Sequence, residues 1–298
     1  MSRLLVALGL LGLAVAAARA ERVPRFFVEG DGALALTNAH TGARAVVRYR
    51  RPDGAYDPDA IARIRRAFRS KGDGSEGLVS LRLIEVLSWV QGRTGGKPLT
   101  LLSGYRNPTY NEDLRRRGAK AAGGSLHTEG LAADLALAGP QALRLWHAVR
   151  DLDCCGAGYY ARQGFVHVDV GRPRSWEAAT SRVDEDLSAG NARLFARTEF
   201  DRYAPAEPIT VTLHALTVPP VRIARAARLV SAAGEEVPLA LGGDLVERDG
   251  CLEAPATSTR LRAAGPPRAV AGRLVLSTCE PRGERTPATV ETNPIEIR

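Results

Sequence analysis

The chain has 298 residues, enough for one large domain or two, and its 45% apolar and 25% charged content is that of a globular protein. The net charge of +8, with Arg far outnumbering Lys, fits contact with anionic polymers or membrane surfaces; in an exported chain it gives no reason to expect nucleic acid. Beyond residue 20 no stretch is apolar enough to span a bilayer, so no transmembrane segment is expected once the first segment is removed.

That first segment differs from the rest. Arg3 precedes an apolar run from Leu4 to Ala18, and Ala18-Arg-Ala20 is a small-x-small cleavage pattern. The reading is a signal peptide over residues 1–20 and an exported, periplasmic or extracellular, bacterial protein. Ala33–Thr37 and Ala45–Tyr49 are short extended runs joined around His40-Thr-Gly42, which predicts a hairpin with His40 at the surface. Asp57-Pro58 starts a helix in which Ile61, Ile64 and Phe68 share a face. Ser80 is expected to cap a second helix, with Leu83, Val86, Leu87 and Val90 at helical spacing. Pro98–Leu102 reads as a strand delivering Ser103-Gly-Tyr-Arg106, and Asn107-Pro108 opens another helix. Arg106 is thereby held at a strand-to-helix turn, where it either meets a substrate carbonyl or carboxylate or bridges to a nearby acid.

Two stretches then carry the chemistry. From Leu131 the sequence alternates, placing Leu131, Ala133, Leu135 and Leu137 on one side and Ala132, Asp134 and Ala136 on the other. In Phe165–Val170 the valines face one way, and Phe165, His167 and Asp169 the other. Side by side, these strands project Asp134 and His167 from one surface, with His127 reaching over from the preceding loop. Two imidazoles and one carboxylate are a recurrent zinc ligand set that leaves a coordination position open. Amide hydrolysis there also needs a base, for which Asp169 and Glu129 are the candidates, and an oxyanion donor, for which Arg106 is the candidate. His147, on the helix expected over Pro140–Val149, reads as a surface or packed residue, whereas Tyr159 and Tyr160 are placed to line a cleft.

Residues 177–204 read as a charged helical linker, and residues 205–298 as a β-rich accessory domain of short strands between turn residues. His214 lies in one of those strands with no partner cluster. Cys251 and Cys279 are placed to close a loop, whereas adjacent Cys154 and Cys155 are read as buried small hydrophobes. Neither pair has the spacing of a zinc knuckle.

The pattern Ser125-x-His127-x-x-Gly130-x-Ala132-x-Asp134, preceded by Ser103-Gly-Tyr-Arg106 and followed by Phe165-Val-His167-Val-Asp169, resembles the D-Ala-D-Ala metallopeptidase group. Within that group it is most similar to the YcbK-like murein endopeptidases, and the likeness extends to the Asn38–Gly42 hairpin and the Tyr56-Asp57-Pro58 helix start. The resemblance covers roughly residues 30–175 and implies an α+β fold of the hedgehog/DD-peptidase type, with a small antiparallel sheet flanked by helices, for a zinc peptidase domain placed at residues 21–176. It implies Zn2+ on His127, Asp134 and His167, substrate contacts by Arg106, Ser125 and Tyr105, and peptidoglycan peptides as substrate. Many relatives carry a Glu or Asp base three residues before the last His; that position is Gly164 here, so the role passes to Asp169.

The expected function is hydrolysis of amide bonds in peptidoglycan stems or crosslinks, by an endopeptidase or a carboxypeptidase. The accessory domain is expected to bind wall or another protein. The rival expectation is a non-catalytic module of the same fold, in which the metal serves structure or partner binding.

Overall fold

Residues 22–118, 121, 124–180, 194–215, 220–254, 258–281 and 286–298 are described by a computed structural model. The expected signal peptide lies outside the described residues. No helix among the described residues is long and apolar enough to cross a membrane.

The first half is built from β1 (Ala33–Asn38), β2 (Arg44–Arg48), α1 (Pro58–Ala67), α2 (Leu81–Arg93), β3 (Leu99–Ser103) and α3 (Pro108–Arg116). It continues through a 3-10 turn (Leu126–Glu129), β4 (Ala132–Ala136), α4 (Gly139–Arg150), β5 (Gly156–Tyr160), β6 (Phe165–Asp169) and β7 (Arg174–Glu177). The strands form one seven-stranded sheet in the order β2-β1-β3-β4-β6-β5-β7. This corrects the expected small antiparallel sheet, because β1 pairs β3 in parallel and β5 pairs β7 in parallel. The physical reason is the connection: the hairpin reverses the chain from β1 to β2, and the passage through α1 and α2 reverses it again, so β3 runs with β1.

Local chemistry explains the helix starts. Asp57 accepts from the amides of Asp59 and Ala60 at the head of α1, and Asn107 accepts from Thr109 at the head of α3. Ser80 does precede α2, but its side chain makes no capping bond. One face of the sheet packs on α1, α2 and α4, through Leu34, Leu36, Leu101, Ala133, Leu135, Val166 and Val168. The predicted strand alternation of β4 and β6 thus holds, leaving the opposite face for the polar residues. Glu85 of α2 is fully buried, yet it accepts from Tyr49, Arg50, Tyr56 and the Gly30 amide, which together compensate its desolvation.

The second half holds β8 (Leu194–Thr198), β9 (Arg202–Tyr203), β10 (Ile209–Ala215), β11 (Val221–Val230), β12 (Glu236–Gly242) and β13 (Glu247–Arg248). β14 (Cys251–Ala254), β15 (Ser258–Ala263), β16 (Val270–Thr278) and β17 (Thr289–Ile297) complete it. Eight of these strands run in the order β8-β10-β15-β12-β11-β16-β17-β9, with β14 pairing β11 and β13 pairing β14. Their apolar residues, among them Ile209, Val211, Leu213, Ile223, Leu229, Leu274 and Ile295, form a core separate from the first. The helical linker is corrected: in its described part, residues 177–204 contain the end of β7 and all of β8 and β9, and no helix. Leu194–Thr198 is fully buried against β10, so it belongs to the β domain.

Cys251 and Cys279 are bonded, tying the start of β14 to the end of β16. Such a crosslink is worth ~3–4 kcal/mol in the chain-entropy model. Cys154 and Cys155 are also bonded, to each other, which corrects their reading as unlinked thiols. The part of that reading that holds is burial, since Cys155 sits in the first core.

Candidate metal centre

The open face of the first sheet presents side chains in rows that cross the strands. In the central row Ser103 of β3 lies opposite Asp134 of β4, Asp134 opposite His167 of β6, His167 opposite Gly158 of β5, and Gly158 opposite Trp176 of β7. Because side chains two apart share a face, the flanking rows follow from the same register. One runs Ala132, Asp169, Gly156, Arg174, and the other Ala136, Phe165, Tyr160. Gly158 is needed where it stands, since a Cβ there would come within 2.6 Å of the Trp176 indole. Without that Cβ, Trp176 reaches across to lie 5.3 Å from the His167 ring and donates its indole N–H to the Tyr160 hydroxyl at 2.9 Å.

His127 comes from the 3-10 turn. Gly130 ends that turn at φ 66°, with its Cα so close to the Leu78 carbonyl that any side chain would collide. The Ser80 amide donates to the Gly130 carbonyl, and the Arg106 amide to the His127 carbonyl. The turn is therefore held from two sides, and His127 points inward with its side chain 3% exposed.

His127, Asp134 and His167 converge, with one ligand atom from each lying within 4.8 Å of the others. Nδ1 of His127 bonds the Gly104 carbonyl at 2.7 Å, which assigns the ring proton there. Its Nε2 is buried without a hydrogen-bond partner and lies 3.4 Å from Oδ1 of Asp134. An orphaned imidazole nitrogen aimed at a carboxylate suits a shared cation. His167 uses the other nitrogen: Nδ1 lies 2.8 Å from the same Asp134 oxygen, while Nε2 contacts Asp169 at 3.0 Å. Both rings thus have one nitrogen tied to an oxygen of the protein and the other directed at the centre, as a zinc site with its supporting acceptors requires.

The charges reinforce one another. Burial pushes His127 down, aided by the Arg106 guanidinium. Burial also opposes charge on His167, but its bonds to Asp134 and Asp169 outweigh that and raise it. Burial of Asp134 is outweighed by His127 and His167, which hold its carboxyl well below the usual range.

The sequence-predicted residues fall into two groups. His127, Asp134, His167 and Arg106 are brought together as expected. Arg106 donates from Nη2 to Asp134 at 2.8 Å and from Nε to Ser103 at 2.9 Å, so of the two roles read for it the bridge to an acid is present. These contacts use two of the five guanidinium donors.

Asp169, the expected base, already has several partners. It is fully buried and accepts from the Gly171 amide at 2.8 Å and from Arg174 at 2.8 and 3.1 Å, besides its contact with His167. Burial alone would raise this carboxyl, but Arg174, His167 and the amide pull it far down. Glu129 is turned away from the centre, toward His214. Ser125 is buried at the head of the turn, its backbone carbonyl accepting from the amide and hydroxyl of Thr128. Tyr105 is half-buried, its ring against Gly77. Tyr160 lines the open face, but Tyr159 packs into the core beside Trp146, which corrects its placement in a cleft. His147 packs on Trp146 as expected. Arg174 and Trp176 were missed by the sequence reading; the signal available was their place on a strand beside Gly156 and Gly158.

The family described as peptidoglycan L,D-endopeptidase MepK matches residues 29–176, the span that contains the whole centre. The Escherichia coli K12 protein of that description is 33% identical over 144 residues, 48% of this chain and 79% of that protein. This chain belongs to the MepK family. The resemblance to murein endopeptidases of the D-Ala-D-Ala metallopeptidase type is therefore borne out. A Haemophilus influenzae protein, described as a probable peptidoglycan L,D-endopeptidase MepK, is 26% identical over 146 residues, 48% of this chain and 78% of that protein. No solved structure matches. The MepK match ends at Trp176, the last residue of the central row, so the β domain lies outside it.

Proposed function

We propose that this MepK-family chain is an exported, zinc-dependent endopeptidase that hydrolyses amide bonds in peptidoglycan stem peptides or crosslinks. The observation that carries the reading is the unpartnered, buried Nε2 of His127 aimed at the oxygen of Asp134 that Nδ1 of His167 also faces. The relatives' description as L,D-endopeptidases favours an internal bond between an L and a D centre over removal of a terminal residue. The cleavage pattern at Ala18-Arg-Ala20 supports export.

Zinc, when bound by His127, Asp134 and His167, supplies a Lewis acid that polarises a carbonyl and lowers the pKa of water toward ~7. The protein's own groups do the rest. Gly104 and Asp169 hold the two imidazoles with the correct nitrogen inward. Arg106 orients Asp134 and offers its remaining donors to the carbonyl or a carboxylate of a bound peptide. Trp176, Tyr160 and Phe165 wall the open face on one side.

A rival reading, a metal-stabilised binding module without turnover, draws on one observation. Gly164 occupies the position where related enzymes keep a carboxylate base, and Asp169 is committed to Arg174 and His167. Metal analysis of the purified chain, together with mass spectrometry of soluble fragments from sacculi, separates the two. The enzyme reading requires about one zinc per chain and peptide fragments cut at one bond type, whereas zinc without fragments supports the module.

A further inference from the structure

The β domain does more than follow the peptidase domain. It is docked on it through buried polar contacts: Arg82 of α2 pairs with Asp201 and donates to the Thr198 carbonyl, and Arg197 of β8 donates to the Cys154 carbonyl. Phe195 of β8 is inserted into the first core. One contact reaches the turn that carries His127. Glu129 is the last residue of the turn that carries His127, and its side chain is 8% exposed. Its oxygen lies 3.5 Å from Nδ1 of His214 on β10, and the Ser258 hydroxyl of β15 lies 3.0 Å from the same nitrogen. Phe195 stacks on the His214 ring at 4.6 Å and fixes its plane.

A buried carboxylate is costly unless paired. His214, braced by Ser258, supplies the polar partner that offsets the burial of Glu129. Both partners come from the other domain. The second hold on the turn, the bond from Ser80 to Gly130, comes from the residue before α2, the helix that Arg82 anchors to Asp201. Two routes therefore lead from the β domain to the C-terminal end of the His127 turn.

We propose that the β domain is a built-in positioning element of the metal centre, with His214 and Ser258 acting through Glu129 to fix the turn that presents His127. The proposal rests on the zinc reading above and gives the domain outside the family match a role in the site, independent of any wall or partner binding. The test uses the full chain and its Glu129→Gln, Ser258→Ala, His214→Ala and His214→Gln variants. Zinc affinity is measured by competition with a chromophoric chelator, ligand geometry by the visible spectrum of the Co2+-loaded protein, and turn order by amide hydrogen exchange across residues 126–131 without metal.

The expected result is ~10-fold weaker zinc binding, the lower end of the usual effect of losing a supporting contact, in the first three variants. A changed Co2+ spectrum and faster exchange should accompany it, with partial recovery in His214→Gln. If His214→Ala disrupts the β domain, Ser258→Ala and Glu129→Gln carry the test, since each alters a single polar group. Affinity, spectrum and exchange all at wild-type values in those two variants overturn the proposal. A wild-type chain that takes up no zinc overturns the zinc reading instead, and the exchange measurement then still decides whether the clasp holds the turn.

Discussion

Nε2 of His167 contacts Asp169 at 3.0 Å while Nδ1 of the same ring faces Asp134 at 2.8 Å, so one imidazole links the metal-facing carboxylate to a fully buried one behind it. The two carboxylates differ in setting, and the burial of Asp169 with Arg174 favours a supporting role for it.

Asp169→Asn should therefore act on the metal before it acts on chemistry. The amide is a weaker acceptor for the His167 ring and loses its charge pairing with Arg174. Zinc affinity is expected to fall ~10–100-fold, the range for loss of a supporting acceptor, in a chelator competition. If Asp169 were the base, the variant would keep its zinc and lose turnover alone.

Arg106→Lys should fold and bind zinc but hydrolyse slowly. Lys keeps the charge yet cannot hold Ser103 and Asp134 while reaching a substrate oxygen. Loss of one charge-assisted bond of ~1.5–3 kcal/mol predicts a drop in kcat/KM of roughly 10–100-fold, read in steady-state assays on soluble muropeptides.

The outline of this site was legible in the sequence because strand alternation and small residues leave a visible period. Ala132, Asp134 and Ala136 against Leu135, and His167 against the valines, fixed which side chains share a face. What alternation does not encode is which ring nitrogen faces inward, and that is why Asp169 reads as a free acid in the sequence and a committed one in the fold. The Glu129–His214 contact spans two domains, and neither residue carries a local pattern that announces it. The β1–β3 pairing was hidden for a related reason: the side of β1 on which the chain returns after the β1–β2 hairpin and two helices decides it, and the short apolar runs are the same in either direction.

Gly158→Ala tests the packing of the central row. A methyl there meets the Trp176 indole at 2.6 Å, so the ring must leave its place beside His167. Overpacking of this kind costs ~1–3 kcal/mol, observable as a lower denaturation midpoint, and hydrolysis should decline with it.

Glu29 sets a pH dependence of stability away from the site. Its burial is outweighed by Arg22, the Phe26 amide and Arg50, so its folded pKa lies below the ordinary value of 4.5. A depressed carboxylate contributes stability that is complete above its unfolded pKa and is lost as pH falls through the folded one. Denaturant titrations should show wild-type stability declining below about pH 4.5, and Glu29→Gln should be less stable at neutral pH with a shallower acid decline.

The central claim is that His127, with Asp134 and His167, holds the metal that cuts peptidoglycan peptides. Purified sacculi incubated in parallel with the wild-type chain and His127→Ala, each at equal zinc, test it most directly. The account predicts soluble peptide fragments from the wild type and none above background from the variant. Release by His127→Ala at the wild-type rate would contradict it.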